Sequence, residues 1–174
     1  MFTILSYQRS GTHLLAHLLN SHPDLKCYDE IYLKNKRKRR GWQKKYLLEK
    51  KPIKELGENE GCIIMYSTLL RIPEDELKIV RNNHIIHLVR TDLEKHIDSL
   101  YRVYGQKYNS WQFRLMREYI ARYRSAALST KFKFFFPITY ESICDNKEIT
   151  EYENKHLMKF LGVKNLKLTT DLPK

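Results

Sequence analysis

The stretch Phe2-Thr3-Ile4-Leu5-Ser6-Tyr7-Gln8-Arg9-Ser10-Gly11-Thr12-His13-Leu14-Leu15 changes its pattern twice. Residues 2–5 are apolar and β-prone, residues 7–11 are polar and turn-forming, and leucines then recur at helical spacing. A helix that begins directly after such a loop points N–H groups and the positive end of its dipole at the loop. The order strand, loop, helix therefore predicts an anion-binding loop.

This loop differs from the phosphate loop of ATP- and GTP-binding proteins. When it is aligned on the pattern G-x-x-x-x-G-K-[ST], Ser6 and Gly11 take the glycine positions. Thr12 then stands where the lysine is required, and His13 where the magnesium-binding hydroxyl is required. A cation remains two residues before the glycine, as Arg9. The loop is thus a poor ATP or GTP site, and a plain strand-turn-helix with a solvated arginine stays open as the alternative.

Length and composition narrow the class of protein. A chain of 174 residues predicts one domain over 1–174, and it has no apolar run long enough to span a membrane. Because Met1 leads straight into the first strand, we expect no leader and a cytoplasmic location. The cysteines Cys27, Cys62 and Cys144 lack C-x-x-C spacing, so we expect reduced core thiols and no metal site.

The formal net charge of +12 implies an anionic partner. The densest basic run is residues 34–40, which is either a solvated loop or a binding element. No aromatic side chain interrupts this run to stack on bases, so nucleic acid ranks below a small nucleotide as the partner.

The rest of the chain alternates between strand and helix patterns. Strands are predicted at residues 25–28, 61–66, 84–89 and 132–140, and helices at 73–81, from 91 to 104, at 111–127 and around 157–161. This order predicts a P-loop-like three-layer α/β/α domain, of the α/β class, around a parallel sheet of about five strands. Residues 31–60 read as a helical or irregular excursion anchored by Trp42, Tyr46, Leu47 and Leu48.

Several local features accompany these elements. Residues 91–94 fit a capping box, and His22 is expected to cap the first helix. The helix at 111–127 is amphipathic. Its inner stripe is predicted to be Trp111, Leu115, Met116, Tyr119, Ile120, Tyr123 and Ala127, and its outer face Arg114, Arg117, Arg122 and Arg124.

A second anion-binding element begins at Arg90, which ends the strand 84–89. Arginine offers a planar fork to a phosphate, and the hydroxyl of Ser99 on the following helix can reach back over the same group. A capped helix with an arginine at a strand end is the simpler alternative. Asp29 and Glu30 end the second strand, so the carboxyl edge of the sheet should carry them beside the loop.

These motifs together resemble the sulfotransferases that use 3′-phosphoadenosine 5′-phosphosulfate (PAPS). The resemblance rests on R-S-G-T after an apolar strand and on L-V-R followed nine residues later by a serine. C-Y-D-E at 27–30, I-T-Y-E at 138–141 and F-L-G-V at 160–163 extend it, most closely toward bacterial carbohydrate sulfotransferases of the trehalose type. It implies PAPS as cosubstrate, PAP (the desulfated nucleotide) as product, no metal, and a hydroxyl acceptor that is a carbohydrate or small metabolite, with acidic acceptors among the candidates.

The resemblance also implies roles for individual residues. Ser10, Gly11, Thr12 and His13 would hold the 5′-phosphosulfate with Arg9, which also neutralises the leaving group, while Arg90 and Ser99 would hold the 3′-phosphate. The chain lacks the K-x-H-x-P segment that supplies a catalytic histidine in some relatives, so Glu30 is the expected base. His13, His22 and His87 remain substitutes. A nucleotide-kinase-like protein and a basic nucleic-acid-binding module remain the rival functions.

Overall fold

The computed structural model describes residues 1–32, 48, 51–103, 105, 107–144 and 149–169, except for the side chain of Cys144. Five strands are present: β1 (Phe2–Ser6), β2 (Lys26–Tyr28), β3 (Glu60–Met65), β4 (His84–Val89) and β5 (Phe134–Thr139). The α-helices are α1 (Thr12–Asn20), α2 (Tyr66–Leu69), α3 (Glu74–Asn82), α4 (Leu93–Val103), α5 (Ser110–Leu128), α6 (Glu141–Cys144) and α7 (Glu151–Leu161), with a 3-10 turn at Ile53–Glu55.

All five strands are parallel and run in the order β2-β3-β1-β4-β5. The predicted α/β fold with a parallel sheet of about five strands is therefore confirmed. After β1 the chain forms β2 at one edge of the sheet and then β3 between β2 and β1. It then crosses to the other side of β1, where it forms β4 and β5. Such a reversal leaves a crevice between the carboxyl ends of β1 and β4, where ligands of open α/β sheets usually bind. The loop of residues 7–11 and Arg90 lie on either side of this crevice.

Helices cover both faces of the sheet, which gives three layers. On one face, leucines of α1 pack with Leu157 and Met158 of α7 against Ile4 and Ile86. On the other face, Val80 of α3 and Ala127 of α5 belong to a second buried cluster with Leu5, Ile64 and Ile85. A third, smaller cluster joins α4 to α5 through Ile97, Leu100 and Ile120. Buried side chains on both faces explain why β3 and β4 are continuous apolar runs.

The long helix α5 departs from its predicted faces. Trp111 is 64% exposed and Tyr119 is 50% exposed, whereas only Ile120 and Ala127 of this helix are buried. The apolar stripe in the sequence is thus wider than the surface that α4 and the sheet offer it. Arg117 and Arg124, predicted to face outward, line a cavity.

Two predicted helix caps are wrong. Helix α4 begins after Asp92, whose carboxylate accepts a hydrogen bond from the Lys95 N–H at 3.0 Å, so Asp92 is the cap instead of Thr91. His22 does not cap α1, because its Nε2 donates to the Lys164 carbonyl at 2.9 Å and its Nδ1 accepts from the Asp24 N–H at 3.1 Å.

The excursion at 31–60 is described only in part. Residues 33–47, 49 and 50 lie outside the described residues, and with them the basic run 34–40, Trp42, Tyr46 and Leu47. Leu48 forms a parallel bridge with Tyr28, so the chain returns beside β2 at that point. Among the described helices, none is long and apolar enough to cross a membrane.

Candidate functional site

The loop after β1 has an unusual backbone. Arg9 has a φ of 64°, a left-handed conformation that costs a residue other than glycine about 1 kcal/mol or more. Gly11 has a φ of 87°, and a Cβ there would lie 2.3 Å from the Tyr140 ring. Glycine is therefore required at residue 11 for its conformation and for the close approach of an aromatic ring. Because Gly11 is also the N-cap of α1 and has no side chain, no side chain caps that end of the helix.

Several hydrogen bonds join the loop to Arg90 and to helix α4. Nε of Arg9 donates to Oγ of Ser99 at 3.2 Å, and Nη1 of Arg90 donates to the Arg9 carbonyl at 3.4 Å. Nε2 of His96 lies 2.7 Å from the Gln8 carbonyl. The two anion-binding elements predicted from sequence, at Arg9 and at Arg90, are thus neighbours in space.

Tyr140 packs against both elements at once. Its ring lies under the Arg90 guanidinium, with Cζ 4.6 Å from the ring centroid, and its edge contacts Gly11. Stacking on an aromatic face holds the arginine in place and leaves the edge of its guanidinium for an anion. Nε of Arg90 is buried and has no hydrogen-bond acceptor among the residues that the structure describes. A buried donor without an acceptor is costly, so this atom is suited to meet a ligand oxygen.

Glu141 secures the helix that follows Arg90. Its carboxylate accepts hydrogen bonds from the Thr91 N–H at 3.0 Å and from the Asp92 N–H at 2.9 Å. Burial pushes the pKa of Glu141 upward, but the hydrogen bonds from these backbone donors outweigh it and lower the pKa below its ordinary value. The end of β5 thus supports Arg90 through Tyr140 and helix α4 through Glu141.

His96 is a neutral link between the loop and α4. Burial lowers its pKa, and the positive charges of Arg90 and Arg9 lower it further. A neutral imidazole carries one N–H, and the short contact to the Gln8 carbonyl places that hydrogen on Nε2. His96 therefore fixes the loop backbone and adds no charge to the site.

The opposite side of the loop carries a histidine–carboxylate pair. Nε2 of His13, in the first turn of α1, lies 3.2 Å from Oδ1 of Asp29. The same carboxylate oxygen accepts the Glu30 N–H at 2.8 Å. Asp29 therefore joins the loop helix to the end of β2 and brings the neighbourhoods of His13 and Glu30 together. Both of these residues are partly buried.

The loop residues 9–13 and Arg90 flank the crevice between β1 and β4, and Ser99 contacts Arg9 from α4. Glu30 follows β2, the edge strand of the sheet, and so lies farther from this crevice. Ser10 and Thr12 are buried and Gly11 is half-buried, while Arg9 is exposed. Two of the substitute bases lie elsewhere. His22 is buried and hydrogen-bonded to the Lys164 carbonyl, and His87 is buried in β4 and hydrogen-bonded to Tyr66. Among residues 1–32, 51–103 and the other described parts, no cluster of His, Cys, Asp or Glu has the composition of a metal site.

Three residues at the site were not assigned a role from sequence: Tyr140, Glu141 and His96. His96 lies one helical turn before Ser99, so the helix period alone could have placed it on the loop side of α4. Tyr140 and Glu141 act across long sequence separations, and local patterns carry no signal for such contacts.

No protein-family model matches the sequence, and no curated protein matches it. Solved structures do match it. A sulfotransferase from Alicyclobacillus acidocaldarius superposes with a TM-score of 0.56 and 13% identity over 99% of this chain and 85% of that one. The mouse sulfotransferase SULT7A1, solved as a complex with PAP, superposes with a TM-score of 0.62 and 19% identity over 94% of this chain and 58% of the mouse chain.

The chain has the sulfotransferase fold. The resemblance seen in the sequence is therefore confirmed at the level of the fold. This chain spans 58% of the length of the mouse protein, so part of that sulfotransferase has no counterpart here.

Proposed function

We propose that this protein is a PAPS-dependent sulfotransferase acting on a hydroxyl acceptor, a carbohydrate or another small metabolite. The observation that carries the proposal is the convergence of two anion-binding elements at the switch point of a sulfotransferase fold. Nε of Arg9 in the loop lies 3.2 Å from Oγ of Ser99 in α4, and Nη1 of Arg90 donates to the backbone carbonyl of Arg9. The mouse relative in fold binds PAP, whose two phosphate groups are the ligands that two such elements would take.

In this proposal the loop takes the 5′-phosphosulfate. Ser10, Gly11, Thr12 and His13 surround the start of α1, where N–H groups and the helix dipole favour negative charge. The absence of a side-chain cap and of acidic residues in the first turn of α1 supports this role. ATP-binding loops require a glycine, a lysine and a hydroxyl where this chain has Ser6, Thr12 and His13. This difference favours a sulfated nucleotide over ATP.

The second element takes the 3′-phosphate. Arg90 has its guanidinium oriented by the Tyr140 ring and the Arg9 carbonyl, with Nε lacking an acceptor among the described residues. A phosphate oxygen would satisfy that buried donor. Ser99 lies about two turns along α4 and contacts Arg9, so it stands between the two phosphate subsites.

Sulfuryl transfer then requires charge stabilisation and a base. The acceptor oxygen attacks sulfur, the bond from sulfur to the bridging phosphate oxygen breaks, and PAP leaves with negative charge on that oxygen. Arg9, a residue of the loop, stabilises this charge. Glu30 accepts the proton of the acceptor hydroxyl.

His13 is the competing base. Asp29 holds its Nε2 at 3.2 Å, which is how a carboxylate orients a histidine for proton transfer. Asp29 also accepts the Glu30 N–H, so the two candidate bases lie on the same side of the loop. Separate substitution of Glu30 and His13 decides between them, with PAP affinity measured in each variant.

The experiment that tests the function is a transfer screen with labelled PAPS over carbohydrates and small hydroxyl compounds. Transfer that continues in EDTA and is lost in Arg9→Ala supports the proposal. Absence of both PAP binding and transfer would contradict it. The single domain over 1–174 and the cytoplasmic location remain predictions.

A further inference from the structure

A cavity of about 300 Å³ lies at the carboxyl edge of the sheet, beside the loop and under α5. Its walls come from the loop after β1, from the end of β4 and from helices α2, α4 and α5. This volume is at the lower end of the range for small-molecule sites, about 300–1,000 Å³. The cavity therefore suits a ligand of roughly monosaccharide size or one group of a larger molecule.

Three arginines line the cavity: Arg90, Arg117 and Arg124. Arg117 and Arg124 are two turns apart on α5, and Ile120 and Ala121 between them also face the cavity. No aspartate or glutamate is among the lining residues, and in the described part of the chain neither Arg117 nor Arg124 has a carboxylate within ion-pair distance. Positive charges without counterions in a concave site raise the local concentration of anions.

Arg124 lies near two buried polar side chains. Its charge acts on Tyr66, which lines the cavity, and on His87, which is hydrogen-bonded to Tyr66. Burial, with the charge of Arg124 added to it, lowers the pKa of His87 to about 4, so this histidine is neutral at physiological pH. The cavity wall therefore offers the uncharged hydroxyl of Tyr66 together with Arg124, which has no counterion among the described residues.

The position of the cavity links it to the reaction. Ser10 belongs both to the loop and to the cavity wall, so a ligand in the cavity would lie next to a group bound on the loop. Ser10 and Arg90, both assigned to the nucleotide, form the side of the cavity next to the loop, whereas Ser99, Glu30 and His13 do not line it. The proposed nucleotide contacts therefore leave Arg117 and Arg124 without a function.

We propose that this cavity binds the acidic group of the acceptor, a carboxylate, sulfate or phosphate held by Arg117 and Arg124, while the reacting hydroxyl lies outside the cavity at the loop, within reach of Glu30 or His13. The word acceptor rests on the proposed sulfotransferase function, whereas the anion site rests on the cavity alone. Arginine forks bind each of these groups in a bidentate manner. The inference narrows the acceptor from any hydroxyl compound to an acidic one.

Matched sugars test the inference. Glucuronate, glucose 6-sulfate and glucose 6-phosphate each add one anionic group to the frame of glucose, and they separate the three sources of negative charge. Each is titrated into the protein with and without saturating PAP, and binding is followed by the chemical shifts of the Ile120 methyl groups, which line the cavity. We expect at least one acidic sugar to bind about tenfold or more tightly than glucose.

The decisive variants are Arg117→Gln/Arg124→Gln and the control Arg114→Gln/Arg122→Gln. All four arginines are exposed residues of α5 and each pair removes the same charge, but only the first pair lines the cavity. The first pair should weaken the acidic sugar about tenfold, leave glucose unchanged and leave PAP affinity within about twofold. The control pair should change none of these, and thermal unfolding should be alike in both.

Three outcomes would overturn the inference: acidic sugars that bind no better than glucose, equal losses in the two double variants, or a loss of PAP affinity equal to the loss for the sugar. The last would assign the cavity to the nucleotide. Failure of the proposed function is seen separately, as no PAP binding and no transfer to any sugar. The titration without PAP still measures the anion site in that case.

Discussion

Two pairs of arginines surround the crevice, and the fold holds them differently. Arg9 and Arg90 are fastened by Ser99, by the Tyr140 ring and by each other. Arg117 and Arg124 stand on one face of α5 without a carboxylate beside them in the described chain. A fastened arginine loses little side-chain entropy when it binds and so favours one fixed geometry. The difference indicates a fixed ligand at Arg9 and Arg90, and a more variable one at Arg117 and Arg124.

The largest effect is expected for Arg9, the fastened arginine that belongs to the loop. Arg9→Ala should lower kcat by about 100- to 1,000-fold, because the charge on the leaving oxygen loses its partner. PAP affinity should fall much less, since the charge develops in the transition state. Single-turnover rates with PAPS and calorimetry with PAP measure the two quantities. Equal losses in both would make Arg9 a binding residue only.

Proton transfer on the other side of the loop should show the next largest effect. Glu30→Gln keeps the shape of the side chain and removes the base, so kcat should fall about 100-fold while PAP binding stays the same. The acidic limb of the pH–rate profile should disappear with it. His13→Gln is the matched variant. Near-normal turnover in Glu30→Gln together with loss in His13→Gln would make His13 the base.

Within the fastened pair, Arg90 is expected to affect nucleotide affinity, whereas Arg9 is expected to affect kcat. Arg90→Ala should weaken PAP binding by about 1.5–3 kcal/mol, the range for a hydrogen bond to a charged group. Adenosine 5′-phosphosulfate lacks the 3′-phosphate and should be weakened far less. Arg114→Ala, at an exposed position of α5 away from the cavity, is the control. The same loss for both nucleotides would remove Arg90 from the 3′-phosphate.

Much of this arrangement follows from local sequence. The loop, the strand ending at Arg90 and the buried strands have short-range patterns, and parallel strands bring their carboxyl ends to one edge. The sequence therefore predicts that Arg9, Glu30 and Arg90 lie at the same edge, as the structure has them. Ser99 is also positioned locally, because a helix must follow β4.

Local patterns do not predict contacts between residues that are distant in the chain. Tyr140 meets Gly11 and Arg90 only because β5 lies next to β4, and a sequence of strands does not state their lateral order. The inner face of α5 was misread for a related reason. A broad apolar stripe does not show where the neighbouring helix stops, so it predicts Trp111 inside although this side chain is exposed. The same pattern gives no sign that the exposed Arg124 lines a cavity.

The smallest effect is expected for Glu141, which supports the fastened pair from outside the crevice. Its folded pKa is lowered, so its stabilisation is present above the ordinary carboxyl pKa of about 4.3 and is lost as the pH falls through the lower, folded value. Glu141→Gln should reduce the free energy of unfolding by about 1 kcal/mol at pH 7. Below the folded pKa the variant and the wild type should converge.

Denaturant unfolding at several pH values measures this difference. Glu151→Gln is the control, since Glu151 is an exposed acid in the first turn of α7. A difference between Glu141→Gln and the wild type that stays constant down to acidic pH would show that the carboxylate charge is not what stabilises α4.

The most direct test of the central claim is calorimetric titration of the protein with PAP in the presence of EDTA, beside ATP with magnesium and a nucleic acid over a range of salt concentrations. The account predicts that PAP binds without metal, that Arg90→Ala weakens it, and that ATP binds more weakly. Magnesium-dependent ATP binding without PAP binding would identify a nucleotide-kinase-like protein. Steeply salt-dependent nucleic-acid binding alone would equally contradict a sulfotransferase.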